Sequence, residues 1–165
     1  MNRESHWGAV GTNFEPSEEG QRIGRKVAVL GHSLIRDLSL PTTSPLGERE
    51  QICYRKFCVP GATTSSLRNS RTWKNFARYK LDLTFLCIGG NDITAQSSPV
   101  DIARAIITLA KEVKEITKGE ERIVTIERRP VPRGVSQICY SRQRNSVNRY
   151  LKHRDTFTKE WVIFS

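Results

Sequence analysis

Lys26-Val27-Ala28-Val29-Leu30-Gly31-His32-Ser33-Leu34-Ile35 is the stretch on which the fold turns. Val27 to Leu30 is an unbroken apolar run that closes on Gly31. A strand with one wet face alternates polar and apolar residues; one covered on both faces does not. This run therefore reads as a central strand of a parallel sheet. Leu34, Ile35 and Leu38 follow at helical spacing and predict a helix straight after a tight turn. Pro41 and Pro45 then predict a loop to about Glu50.

Working outward, strands and helices keep alternating. Ile52 to Val59 carries Arg55 and Lys56, as an edge strand does, and stops at Pro60-Gly61. A helix is predicted from about Thr64 to Arg78, with Leu67, Trp73, Phe76 and Ala77 as its apolar side. Leu83 to Ile88 is a second buried-strand run, closing on Gly89-Gly90-Asn91-Asp92. In the next helix Ser98 suits the N-cap, Pro99 the first turn and Asp101 the positive end. Ile102, Ile106, Leu109, Ala110, Val113 and Ile116 share one face until Gly119 ends it. Ile123 to Ile126 reads as a strand, Ser141 to Lys152 as a helix and Trp161 to Phe164 as a fifth strand. This alternation requires right-handed crossovers and predicts a three-layer α/β domain around a parallel sheet of about five strands. The domain is expected over 26–165, behind a polar, glycine-bearing flexible arm over 1–25 that shows neither period.

Composition agrees with one globular domain. The chain has 165 residues, 37% hydrophobic and 27% charged, with 27 Lys and Arg against 17 Asp and Glu. No stretch approaches the ~18 apolar residues that cross a bilayer, and the N-terminus lacks the apolar run of a signal peptide. A soluble intracellular protein, cytoplasmic or nuclear and without a membrane partner, is the expectation. Cys53, Cys58, Cys87 and Cys139 form no CxxC, and His6, His32 and His153 complete no zinc pattern. Reduced, packing cysteines and neither metal nor cofactor are expected.

In an open parallel sheet, ligands bind beyond the carboxyl ends of the strands, where strand order reverses. With the order 2-1-3-4-5, the ends Gly31-His32-Ser33, Pro60-Gly61-Ala62-Thr63 and Gly89-Gly90-Asn91-Asp92 are neighbours. Ser33 would then stand at a helix N-terminus with its hydroxyl free to attack an acyl carbon. The oxyanion formed would meet the N–H of Ser33, the N–H of Gly61 and the side-chain amide of Asn91. Each residue also has a plain structural role: an N-cap for Ser33, a strand-ending turn for Gly61, turn chemistry for Asn91-Asp92. Their convergence is what points to acyl transfer.

Three blocks carry a family likeness. Val-Ala-Val-Leu-Gly-His-Ser-Leu-Ile-Arg-Asp-Leu (27–38), Gly61, and Cys-Ile-Gly-Gly-Asn-Asp-Ile (87–93) resemble the SGNH, or GDSL-type, serine hydrolases, from about Lys26 to the end of the chain. The resemblance implies a flavodoxin-like sheet and metal-free ester hydrolysis through an acyl-enzyme. It assigns Ser33 as nucleophile, with Gly61 and Asn91 as oxyanion donors. The Gly-His-Ser…Gly-Gly-Asn-Asp wording is similar to esterase-like domains in some animal LINE-type retrotransposon proteins. Two departures stand out. His32 replaces the family's aspartate before the serine, and no Asp-x-x-His block follows. His153 has Tyr150 three residues before it and is not carried over as the base. The chain ends at Ser165, at the start of or inside the expected fifth strand, and without the Asp-His segment it is expected to be inactive or weak. His32, adjacent to Ser33 on a tight turn, is expected to point away from the hydroxyl.

Charge suggests a second class of function. Residues 128–159 hold nine Lys or Arg against Asp155 alone. In 68–80, Arg68, Arg71, Lys74, Arg78 and Lys80 interleave with Trp73, Phe76 and Tyr79. Basic groups beside aromatics follow phosphates and stack bases. The alternative reading is accordingly a noncatalytic basic module that binds nucleic acid or protein. The plainer account of 68–80 is a solvated helix face whose aromatics turn into the core.

Overall fold

The computed structural model describes residues 24–36, 38–39, 43–45 and 51–153. Five strands, β1 (Lys26–Gly31), β2 (Thr43–Pro45), β3 (Gln51–Cys58), β4 (Leu83–Cys87) and β5 (Glu120–Ile123), form one sheet in the order β2-β3-β1-β4-β5. β3, β1, β4 and β5 run parallel, so the parallel part has the predicted order 2-1-3-4. The expected fifth strand at 161–164 and most of the arm over 1–25 lie outside the described residues. In place of the loop expected around Pro41 and Pro45, β2 pairs antiparallel with β3 at its edge.

Four helices complete the description: α1 (Thr64–Arg68), α2 (Arg71–Phe76), α3 (Pro99–Thr117) and α4 (Gln137–His153). Ala28 and Leu30 of β1 share one core cluster with Phe57, Leu86 and Ile123 of the neighbouring strands. Side chains from all four helices join it, among them Leu67, Phe76, Ile106 and Val147. Val27 and Val29, on the alternate face, are equally buried. An apolar run without alternation has thus become a strand wet on neither side.

Local chemistry explains where the elements depart from their predicted spans. The helix expected over 64–78 is two, because Ser70 caps a second start: its Oγ accepts from Trp73 N at 3.0 Å. α3 begins at Pro99 behind Ser98 as predicted, but Lys118 rather than Gly119 takes the left-handed conformation at its end (φ 60°). α4 starts at Gln137, four residues before the predicted Ser141. β5 covers Glu120–Ile123 instead of Ile123–Ile126, because register with β4 outranks the apolar run. Beyond it, the main chain of Ile126 bonds to a side chain: its N–H donates to Asn148 Oδ1 at 2.8 Å, and its carbonyl accepts from Nδ2 at 3.0 Å.

The helix predicted after Ser33 is a single 3-10 turn, Ser33–Ile35. Its bonds run three residues back, from Ile35 to His32 and from Arg36 to Ser33. Leu38, meant for the buried side, is exposed. The carbonyls of Arg36 and Leu38 accept from Lys56 Nζ at 3.0 and 2.7 Å, so β3 satisfies groups that a continuing helix would have bonded itself. Ser33 therefore has no helix dipole behind it.

Gly31 sets the approach of the two central strands. A Cβ there would collide with the carbonyl oxygen of Cys87, a backbone atom that already accepts from His32 N at 3.2 Å. Gly31→Ala is expected to cost at least about 3 kcal/mol, at the upper end of overpacking penalties because no flexible side chain can yield. Urea unfolding checks this; a midpoint equal to the parent's would contradict it.

Candidate active site at the carboxyl rim of the sheet

β1 is flanked by β3 and β4, and the chain leaves all three at the same rim. Val59 N donates to Gly31 O at 2.9 Å on one side, while His32 N donates to Cys87 O on the other. Ser33 emerges between them, half-buried. Among the described residues its hydroxyl and its N–H engage no protein partner. Gly61, at φ +70°, occupies the turn after β3 with open space where a side chain would stand, and its N–H is likewise unengaged.

The segment after β4 is tied to the segment after β3. Asn91 Nδ2 donates to Ala62 O at 2.8 Å. Asp92 accepts from Thr64 N at 3.1 Å and from Thr64 Oγ1 at 2.7 Å. Burial raises the Asp92 carboxyl above its ordinary value, while the Thr64 bonds pull it back. Asp92 thus belongs to the scaffold, holding the start of α1 against the turn that presents Asn91.

Arg129, one of the nine cations of the basic stretch 128–159, belongs to this rim. Its Nη2 donates to Asn91 Oδ1 at 2.7 Å. Gln137 Nε2 holds its carbonyl at 3.0 Å from the first turn of α4. Among the described residues it pairs with no carboxylate. No motif announces it; the one signal was its place in the loop that follows β5, just before Pro130 and Pro132.

Among the described residues, neither His32, His153 nor Cys87 supplies conventional nucleophilic chemistry. His32 is buried, and burial, then the Arg129 charge, lower its pKa from 6.5 to about 4. Such an imidazole is neutral at pH 7 yet a weak proton acceptor. His153 ends α4, sixteen residues past Gln137 and so roughly 24 Å along the helix from the rim. Burial, then Glu127 nearby, push the Cys87 thiol up to about 12, which keeps it protonated. All four cysteines are free thiols. Among the described residues no three His, Cys, Asp or Glu side chains converge as metal ligands would.

The basic segments divide. Trp73 and Phe76 are buried in the core, Tyr79 lies under Arg55 at 4.2 Å, and Arg68 pairs with Glu112 at 2.8 Å. The aromatics of 68–80 therefore pack. A groove of about 1160 Å³ opens at the opposite rim, where Lys26, Asp82 and Glu120 stand at the amino ends of strands. Its six Lys and Arg are interspersed with Asp82, Glu120 and Glu121, and none of the candidate site residues line it.

With this geometry in hand, the chain can be set beside known proteins. No family model matches it, and no curated protein is similar in sequence. Its architecture is similar to the crystal structure of protein YxiM from Bacillus subtilis, with a TM-score of 0.52 at 15% identity. The match covers 83% of this chain but 43% of YxiM, so this chain spans less than half of that protein. The likeness concerns the fold, an α/β sheet compatible with the flavodoxin-like class. No described helix is long and apolar enough to cross a membrane.

The low pKa of His32 has a consequence for stability. The unfolded chain takes up this proton near 6.5 and the folded chain only near 4. Stability is thus full above pH 6.5 and declines as pH falls toward 4, by on the order of 3 kcal/mol in total. Urea unfolding at a series of pH values should show that slope, flattened in His32→Gln. Parallel curves for the two proteins would remove His32 as its source.

Proposed function

We propose that this chain is a serine acyl-hydrolase domain of the SGNH type, of the subgroup whose Gly-His-Ser…Gly-Gly-Asn-Asp wording it shares. The observation that carries the reading is the bond from Asn91 Nδ2 to Ala62 O at 2.8 Å. It puts a carboxamide against the Gly61 turn, next to the strand end that delivers Ser33. Unengaged N–H groups at Ser33 and Gly61 support it further. The flavodoxin-like order of the parallel strands is compatible with it.

In this reading Ser33 Oγ attacks the carbonyl carbon of an ester while its proton passes to a base. Negative charge gathers on the carbonyl oxygen, and the N–H of Ser33, the N–H of Gly61 and Nδ2 of Asn91 receive it. Collapse expels the alcohol and leaves an acyl group on Ser33, which water removes by the same steps. The base is the weak part. The described residues offer His32, whose pKa is too low for the task, and His153 at the far end of α4. Slow hydrolysis follows, because a serine hydroxyl without a partner base is a poor nucleophile.

A base supplied from solution makes the proposal testable. p-Nitrophenyl acetate hydrolysis should be slow, should rise with added imidazole beyond the imidazole background, and should vanish in Ser33→Ala. Asn91→Ala is expected to lower the Ser33-dependent rate on the order of 100-fold or more, the usual cost of one oxyanion donor. Equal rates for Ser33→Ala and the parent would refute acyl transfer. The noncatalytic nucleic-acid reading would then stand on charge alone, with saturable oligonucleotide binding as its test.

A further inference from the structure

We propose that Arg129 is a positioning residue for Asn91, fixing which end of that amide meets the reacting group; the proposal rests on the acyl-transfer reading of the rim. A carboxamide is nearly symmetric in shape but opposite in chemistry at its two ends. Only the NH₂ end stabilises an oxyanion; the oxygen end repels it. Something must choose.

Two contacts make the choice, and they agree. The carbonyl of Ala62 can only accept, so it takes a hydrogen from Nδ2 at 2.8 Å. The guanidinium of Arg129 can only donate, so it takes Oδ1 at 2.7 Å. Turning the amide over would oppose oxygen to oxygen and NH₂ to guanidinium. Ala62 consumes one of the two Nδ2 hydrogens and leaves the other for an acyl oxygen. The Arg129 bond is charge-assisted, and it draws electron density toward Oδ1, which makes the remaining N–H a stronger donor. No carboxylate among the described residues neutralises that charge, and His32 feels it.

The guanidinium lies beside Gly90, with Tyr140 close enough to feel its charge. A Cβ on Gly90 would lie 3.5 Å from both Nε and Nη2 of Arg129 and 3.2 Å from the Tyr140 hydroxyl. Such a Cβ would press on the Tyr140 hydroxyl and meet the guanidinium at ordinary contact distance. Tyr140 is itself fixed, its ring buried and its hydroxyl donating to Glu127 O at 3.3 Å.

The side-chain amide of Asn91, read in ¹⁵N–¹H spectra of the full chain, tests the proposal without requiring turnover. Arg129→Met keeps length while removing donor and charge. It is expected to move the Asn91 pair upfield and to speed its exchange with water on the order of tenfold, as for any hydrogen bond opened locally. Arg129→Lys keeps a donor and should restore much of the parent signal. An Asn91 pair identical in the parent and Arg129→Met overturns the proposal. In the imidazole-assisted assay, Arg129→Met should lower kcat on the order of 100-fold with KM little changed, the signature of a displaced catalytic donor. A raised KM with unchanged kcat would instead assign Arg129 to substrate binding and overturn the positioning role. Parent turnover that does not depend on Ser33, beside an Asn91 pair that does respond to Arg129, would sink the acyl-transfer reading while leaving the amide contact established.

Discussion

The approach of β1 to β4 at Gly31 governs where everything at the rim comes to lie. With no side chain on Gly31, the carbonyl of Cys87 occupies the space a Cβ would need and receives the N–H of His32. That bond pins the exit of β1 against the exit of β4, while Val59 N on Gly31 O pins it against β3. Three chain exits are thereby held within one neighbourhood before any functional side chain is considered. The 3-10 turn at Ser33 meets β3 as well, where Lys56 claims the carbonyls of Arg36 and Leu38 beyond it.

Upon this frame sits an unusual balance of charge. The rim holds a half-buried guanidinium, a buried imidazole whose pKa burial and that charge lower, and a half-buried carboxyl stitched to Thr64. Its free donors are N–H groups of glycine, serine and a carboxamide. Such a set favours negative charge that develops during a reaction and offers little to accept a proton. Binding an oxyanion and generating a nucleophile are separate tasks, and the proposed acyl transfer rests on the first.

Much of the architecture was legible in local pattern. The apolar run at 27–30 marked β1 because burial on both faces removes alternation, and the run at 83–88 marked β4 although Leu83, Phe85 and Cys87 on one face are only half-buried. Ser98, Pro99 and Asp101 marked the start of α3 because capping chemistry acts within one turn. What escaped were features decided by partners distant in the chain. β2 exists because β3 offers it an edge. β5 lies over Glu120-Glu121-Arg122-Ile123 because β4 sets its register, although a more apolar run follows. Asn148 replaces a neighbouring strand for Ile126 from twenty-two residues away. No local period encodes any of these.

The candidate site divides along the same line. Residue order alone determined that a serine, a glycine turn and a carboxamide would each follow a strand, since apolar runs and glycines write strand ends directly into the chain. Only the tertiary structure decided that Asn91 is clasped between Ala62 and Arg129, that burial and the Arg129 charge lower the pKa of His32, and that Ser33 stands on a turn rather than a helix. Orientation, desolvation and the reach of a charge depend on what lies across space, and a chain read one residue after another carries no measure of that distance.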